Sequence, residues 1–257
     1  MGRKLRWLFD VEVRQVATKI EHIRAATSFV GTGIATSDDL YMVTKRLFDA
    51  LLAILLLIVL MPVMLLISVA ILLDSRGPII FRQKRILGGQ ALGSGDPEKH
   101  VFEFYKFRTM YHHASEGLHR QYMQKLINGG VQRTEGSGKQ LYKLDHDPRV
   151  TRIGHFLRKS SLDELPQLIN ILRGEMSFVG PRPAIAYEVR QYKPWHMYRL
   201  TVMQGLTGLW QVMGRNERSF DEMVQLDIEY AQRRSLALDL EIIFATIPAI
   251  LGGHNAC

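Results

Sequence analysis

From Ala50 to Leu73 the chain carries no charged side chain, and nearly every position is apolar. As one helix at ~1.5 Å per residue, this run reaches ~36 Å, enough for a ~30 Å hydrocarbon core. Cations flank it on both sides: Lys45 and Arg46 before it, Arg76, Arg82, Lys84 and Arg85 after it. A helix that crosses a membrane normally keeps its basic end in the cytoplasm, and here neither end reads as the outside. Pro62 lies near the middle, lacks an N–H and crowds the carbonyl four residues back, which predicts a kink near Met61. The arms on either side, 50–61 and 63–73, are each long enough for about half a bilayer. Symmetric cations and a central proline favour a re-entrant helix-break-helix that dips in and returns. A single-pass span with a tolerated proline stays open as the alternative. A signal peptide would start earlier and be shorter.

The remaining pattern alternates short elements with turns. Residues 1–42 form a polar lead whose Arg3, Lys4, Arg6, Trp7 and Phe9 suit either a membrane surface or a loose terminus. Gly31 and Gly33 break the chain before the re-entrant helix, which is expected over 43–74. Ser75 to Pro78 reads as a turn, 79–81 as a strand, 86–100 as a loop and 101–108 as a second strand. A helix followed by a flexible excursion is expected over 112–144. Segments 150–159 and 164–173 are helical, the second stopped by Gly174. Tyr187, Tyr192, Trp195 and Tyr198 mingle with Lys193 and Arg199, a mixture that suits a headgroup zone or a soluble groove. Residues 217–234 predict an amphipathic helix, and 236–251 an apolar one too short for a second span. The expected class is mixed α/β and predominantly helical. It describes a monotopic membrane protein whose interfacial helices surround a small cytosolic catalytic domain over 75–257.

Composition narrows the partners. A net charge of +8 and a pI near 9.6 call for a negatively charged partner: lipid headgroups, phosphorylated substrates or nucleic acid. The cations are dispersed among apolar stretches and no DNA-binding pattern is present, so nucleic acid is not expected. Cys257 is the only cysteine, which excludes an intrachain disulfide and suits a reducing compartment. The histidines show no HExxH spacing, and His112-His113 reads as surface. Gly136 to Lys139 resembles a phosphate loop but fails, because Arg133 stands where the first glycine belongs and Gln140 replaces the hydroxyl.

Reactive groups concentrate in Ser160 to Gln167. Pro166 is best placed in a helix's first turn, so a helix is expected to start near Asp163, with Asp163 and Glu164 at its positive end. Such carboxylates are often no more than caps. Their surroundings point further: Lys106, Arg108, Arg149, Arg152, Arg158 and Arg182 occur mostly beside Gly or Pro turns, and Arg182 is held between two prolines. Arginines fixed in loops near a helix start suit phosphate. Adjacent carboxylates there either attack phosphorus or hold a divalent cation. The residues alone thus reach phosphate chemistry at a membrane surface.

The blocks Lys45-Arg46, Asp49, Pro62, Gly77-Pro78, Gln83 to Arg85, Tyr105 to Met110, Asp147 to Arg149, Ser161 to Gln167 and Met176 to Pro183 resemble the bacterial sugar transferases. These are monotopic phosphoglycosyl transferases that start glycan assembly on a polyprenol carrier. The likeness extends from Val43 to Ile250 and includes Gly205 to Gln211 and Gly214-Arg215. It implies transfer of a hexose-1-phosphate, galactose or glucose favoured, from a UDP-sugar to undecaprenyl phosphate, with UMP released and Mg²⁺ required. By the same resemblance Asp163 is the nucleophile of an aspartyl-phosphosugar intermediate, and Glu164 the metal-binding acid. Arg108, Arg149, Arg158 and Arg182 would line the phosphate site, with Lys106 and Gln167 completing the substrate-binding set. Pro62 would be the membrane break, with the protein on the cytoplasmic face of the inner membrane, in contact with its lipids. A homo-oligomer is compatible with the chain, and the sugar and glycan pathway stay open. The loops at 86–100 and 115–143 exceed the family's short members, and residues 1–42 match nothing in it. A catalytically silent scaffold that binds polyprenol phosphate is the competing class, and a polytopic glycosyltransferase the third.

Overall fold

The apolar run folds as one α-helix, α1 (Ser37–Asp74), 38 residues long and ~57 Å along its axis. This is a computed structural model, described here for residues 37–89, 100–112, 117–127, 147–213 and 218–251. The expectations for the N-terminal basic patch, for most of the 86–100 loop and for the excursion within 112–144 beyond residue 127 lie outside these residues. So do Gly214-Arg215 and Gly252-Gly253. The chain divides into two compact units, Met1–Met42 and Val43–Cys257.

Helix α1 starts earlier than expected, with Asp38 and Asp39 in its first turn, where carboxylates oppose the helix dipole favourably. It also stays helical across Pro62, where the sequence predicts two separate arms. A proline removes one hydrogen bond and costs ~3 kcal/mol, and the leucine-rich turns on either side resume the ladder at once. The Ser68 hydroxyl donates back to the Met64 carbonyl at 2.7 Å, so the one hydroxyl in the run is satisfied within the helix. Among the described residues, α1 is the one helix long and apolar enough to cross a membrane.

Both flanks of α1 rest on the same unit. Near its start, Lys45, Asp49 and Ala53 are buried; near its end, Ile67 and Ile71 are. Between them Ile58, Val59, Met61 and Val63 are exposed, as are Leu65, Leu66 and Leu72 on the outer face.

The domain below α1 is built from small pieces. Strands β1 (Ile80–Ile86) and β2 (Val101–Phe107) form an antiparallel hairpin that pairs Ile80 with Phe107 and Ile86 with Val101. After α2 (Gly117–Ile127) come α3 (Arg152–Ser160), a 3-10 turn (Leu162–Glu164) and α4 (Gln167–Arg173). Two three-residue strands, β3 (Ser177–Val179) and β4 (Gly205–Thr207), pair in parallel. Between them lie α5 (Ala186–Val189) and a 3-10 helix, Pro194–Leu200; α6 (Leu209–Val212), α7 (Phe220–Arg233) and α8 (Leu236–Leu251) follow β4. The result is mixed α/β and mostly helical, as expected.

The main core gathers Phe102 and Phe104 of β2 with Leu168, Ile171, Met176, Phe178, Val202, Tyr230 and Ile242. Ala53 of α1 belongs to the same cluster, so the apolar helix is also part of the domain's core. Phe107 and Leu157 join Ile67 and Ile71 in a second cluster under the helix's other end. Helix α7 opens on a capping box in which the Ser219 amide donates to Glu222 at 2.6 Å.

Candidate active site

Two elements bring the reactive residues together. Strand β2 places Phe104 and Lys106 on one face, by the two-residue repeat of a strand. The Asn170 side chain, fully buried on α4, holds that strand's backbone: its amide nitrogen donates to the Glu103 carbonyl at 2.6 Å and its oxygen accepts from the Tyr105 amide at 3.1 Å. Helix α4 is thereby pinned in register with β2, and the turn that precedes it meets Lys106.

That turn differs from expectation. Asp163 and Glu164 do not open α4, which starts only at Gln167; they form a separate 3-10 turn. The cause lies at Ser161, the one non-glycine residue with positive φ among the described residues (φ 57°, ψ 13°). It ends α3 in the left-handed conformation, its amide donating to the Arg158 carbonyl at 3.3 Å. The next residues close a tight turn, with the Glu164 amide on the Ser161 carbonyl at 3.2 Å, before Pro166 permits α4 to begin.

The turn delivers two carboxylates to one ammonium. Lys106 Nζ lies 3.2 Å from Asp163 Oδ2 and 2.9 Å from Glu164 Oε1. Asp163 is only 5% exposed, so its charge is held mainly by protein rather than by water. One turn on, Gln167 is buried and its Nε2 has no hydrogen-bond partner within the protein.

The arginines separate into three settings. Arg149 grips Asp147 with two parallel bonds, Nε to Oδ1 at 2.8 Å and Nη2 to Oδ2 at 2.7 Å. These bonds hold the Asp147 carboxyl below the usual carboxylate range, and the charge of Arg158 adds to the effect. Arg158 donates from Nε to Thr109 Oγ1 at 3.0 Å, so Arg149 and Arg158 share one cluster beside the end of β2. Close approach of α3 requires Gly154, where a Cβ would fall 2.1 Å from the Thr109 carbonyl oxygen.

Arg108 turns the other way. Its Nη2 donates to the Ser75 carbonyl at 2.6 Å and reaches the Ile71 carbonyl at 3.3 Å, capping the last turn of α1. Gly77, at φ +128°, makes room for it: a Cβ there would sit 2.2 Å from Arg108 Nη1. Arg108 Nε and Nη1 are buried without hydrogen-bond partners, and burial lowers the pKa of the guanidinium. Arg182 lies near Arg85, whose Nη1 donates to the Pro183 carbonyl at 2.6 Å. Burial brings the Arg85 pKa down to about 10, and the charge of Arg182 pushes the same way. Arg85 and Lys106 both approach the Phe104 ring, at 4.9 and 5.8 Å from its centroid, which links this pair to the carboxylates.

Sequence reasoning missed Asn170, Thr109 and the clamping role of Asp147. Asn170 alone left a signal, a polar residue interrupting the apolar face of Leu168 to Leu172. The residues present fit a hard divalent cation: two carboxylate oxygens converge on one cationic point. Among the described residues no group of three or more metal-ligating side chains forms a cage.

The family model described as bacterial sugar transferase matches residues 40–253. The exopolysaccharide production protein ExoY of Sinorhizobium fredii is 42% identical over 209 residues, covering 81% of this chain and 85% of that protein. The undecaprenyl-phosphate galactose phosphotransferase of Salmonella typhimurium is 39% identical over 212 residues, 82% of this chain but 41% of its own length. The UDP-glucose:undecaprenyl-phosphate glucose-1-phosphate transferase of Xanthomonas campestris pv. campestris is 38% identical over 228 residues, again 41% of its length. With the match spanning both the apolar helix and the Asp163–Glu164 pair, the chain belongs to the bacterial sugar transferase family.

Proposed function

We propose that the protein transfers a hexose-1-phosphate, galactose or glucose, from a UDP-sugar to undecaprenyl phosphate and releases UMP. The observation that carries this reading is the buried Asp163 carboxylate, set beside Glu164 and Lys106 in a domain whose core includes the apolar helix. The named activities of the Salmonella and Xanthomonas relatives supply the substrate classes.

An Asp163 oxygen attacks the phosphorus that bears the sugar. The bond from that phosphorus to the bridging oxygen breaks, UMP leaves with the electron pair, and an aspartyl-phosphosugar remains. A phosphate oxygen of the polyprenol carrier then attacks the same phosphorus, and the aspartyl bond breaks to return the carboxylate. Arg149 and Arg158, fixed by Asp147 and Thr109, would bind phosphate oxygens, and Lys106 would offset part of the carboxylates' charge. Glu164 is the residue to hold Mg²⁺, which would offset the diphosphate charge.

We further propose that α1 enters and leaves the membrane on the cytoplasmic side, bending at Pro62. Support comes from its two flanks, both buried against one domain: Lys45 and Asp49 at one end, Ile67 and Ile71 at the other. A straight span would lift one flank ~30 Å away.

The purified protein, incubated with UDP-hexoses, Mg²⁺ and a short polyprenol phosphate, is expected to release UMP. UDP-sugar alone should leave a phosphosugar mass on the peptide that contains Asp163. No UMP from any UDP-sugar returns the protein to the scaffold class, and label on Glu164 reverses the two carboxylates' roles. Cysteine substitutions at Ser28 and Ser94 should both stay unlabelled from outside the cell.

A further inference from the structure

We propose that Lys106 is an internal stand-in for the metal: its ammonium and a divalent cation compete for the same carboxylate oxygens, so a metal reaches Glu164 only by expelling Lys106. This rests on the reading of the site given above. The geometry is specific. One nitrogen sits 3.2 Å from Asp163 Oδ2 and 2.9 Å from Glu164 Oε1, already seated between the two oxygens that a shared cation would use. A divalent ion there would lie within a few ångströms of the ammonium, and two cations that close in a partly buried site repel strongly. Occupancy by one therefore means displacement of the other.

The exchange has a use. While no substrate is bound, Lys106 offsets one of the two negative charges without a metal. Once it is displaced from Glu164, the long side chain keeps its charge and has a new anion within reach, the diphosphate that accompanies the metal. The Phe104 ring, 5.8 Å from Nζ, gives the ammonium a second surface to rest on while it moves. Lys106 then acts on the reaction as a positioning residue whose partner changes between the resting and the loaded enzyme. Its bond to Asp163 also orients the nucleophile before substrate arrives.

The test is Mn²⁺ binding to the full-length protein in detergent without substrate, followed by the electron paramagnetic resonance of free Mn²⁺. Lys106→Met should bind Mn²⁺ at least about tenfold more tightly than wild type, because the competing charge is gone. Lys106→Gln should do the same, and Lys106→Arg should stay near wild type. Adding Glu164→Gln to Lys106→Met should abolish the gain. Equal, weaker or undetectable binding in Lys106→Met and Lys106→Gln, with thermal unfolding showing a folded protein, overturns the proposal. So does a gain that survives Glu164→Gln, since the ion would then sit elsewhere. UMP release by the wild type is measured separately. A protein with the expected Mn²⁺ hierarchy that releases no UMP sinks the transferase reading alone, and one that releases UMP with a flat hierarchy sinks the competition alone.

Discussion

Two lysine–aspartate pairs in this molecule have similar chemistry and opposite settings. Lys45 and Asp239 join α1 to α8 at 2.7 Å, with side chains 7% and 4% exposed. The Tyr230 hydroxyl lies 2.7 Å from the other Asp239 oxygen and 3.0 Å from the Val179 carbonyl, so each polar atom of the group faces a protein partner. Lys106 and Asp163 stand 3.2 Å apart, but the lysine is 18% exposed and divides itself between two acids. Nearby Gln167 still has a donor to spend. The first group is closed, as a lock is; the second is open on one side, as the proposed site requires. Charge type alone does not separate them, whereas the completeness of the hydrogen-bond shell does.

The sharpest way to break this comparison is to remove the aspartate from each. Asp163→Asn keeps the shape of the turn and is expected to lower UMP release by at least about 10³-fold with little change in unfolding temperature. Asp163→Asn protein that retains ordinary turnover would make the open pair structural after all. The lock should behave in reverse. Lys45→Met leaves Asp239 buried without its cation and should cost about 3–5 kcal/mol in chemical unfolding. Adding Asp239→Leu should recover most of that loss, because a buried ion pair replaced as a whole by apolar groups is often neutral. Failure of the second change to rescue the first would mean that the pair does more than fasten α1.

A third pair adds a pH test. Arg199 holds Asp227 at 2.7 Å and the Tyr192 hydroxyl at 2.9 Å, deep beneath α7. Burial pushes the Asp227 carboxyl up to about 6, with Arg199 opposing the shift. An acid raised in the folded state keeps its proton where the unfolded chain has lost it, so folding stability falls as pH rises from about 4 to about 6 and then levels. The loss should be on the order of 2–3 kcal/mol. Asp227→Asn should flatten that part of the stability curve relative to wild type, and an unchanged slope would assign the titration to other groups.

These contrasts explain what could be read from the sequence. Helices α1, α7 and α8 were legible because each carries a long periodic or unbroken apolar pattern, and α8 spans the expected 236–251. Strands β3 and β4 were not, since three residues hold no period and their pairing is set by contacts 28 residues apart. The acids Asp163 and Glu164 stood out by composition, but their 3-10 turn did not, because it depends on the left-handed Ser161, a residue without glycine's freedom. The direction of an arginine is the least legible feature of all. Arg108 and Arg158 both follow basic or aromatic blocks, yet one caps α1 and the other meets Thr109. That choice is made by which carbonyl or hydroxyl the tertiary fold brings within reach.

Thr109 gives the smallest and most discriminating test, because it stands between lock and site. Its backbone carbonyl accepts from the Thr151 amide at 3.0 Å, a contact that holds the fold, while its hydroxyl accepts from Arg158 Nε at 3.0 Å. Thr109→Val keeps the first and removes the second in a side chain of nearly the same shape. A hydrogen bond to a charged group contributes about 1.5–3 kcal/mol, so if Arg158 is aimed at phosphate by this bond, kcat/KM for the UDP-sugar should fall about tenfold or more. The effect should appear mainly in KM, because phosphate contacts of this kind bind substrate before the reaction begins. Thr109→Ser, which restores the oxygen, should restore most of the loss. A drop in unfolding temperature with unchanged kinetics would place Thr109 with Lys45 and Asp239 among the fastenings. A kinetic loss at constant stability would place it with Lys106 and Asp163, and would show that the open side of the site extends from the carboxylates to the arginines.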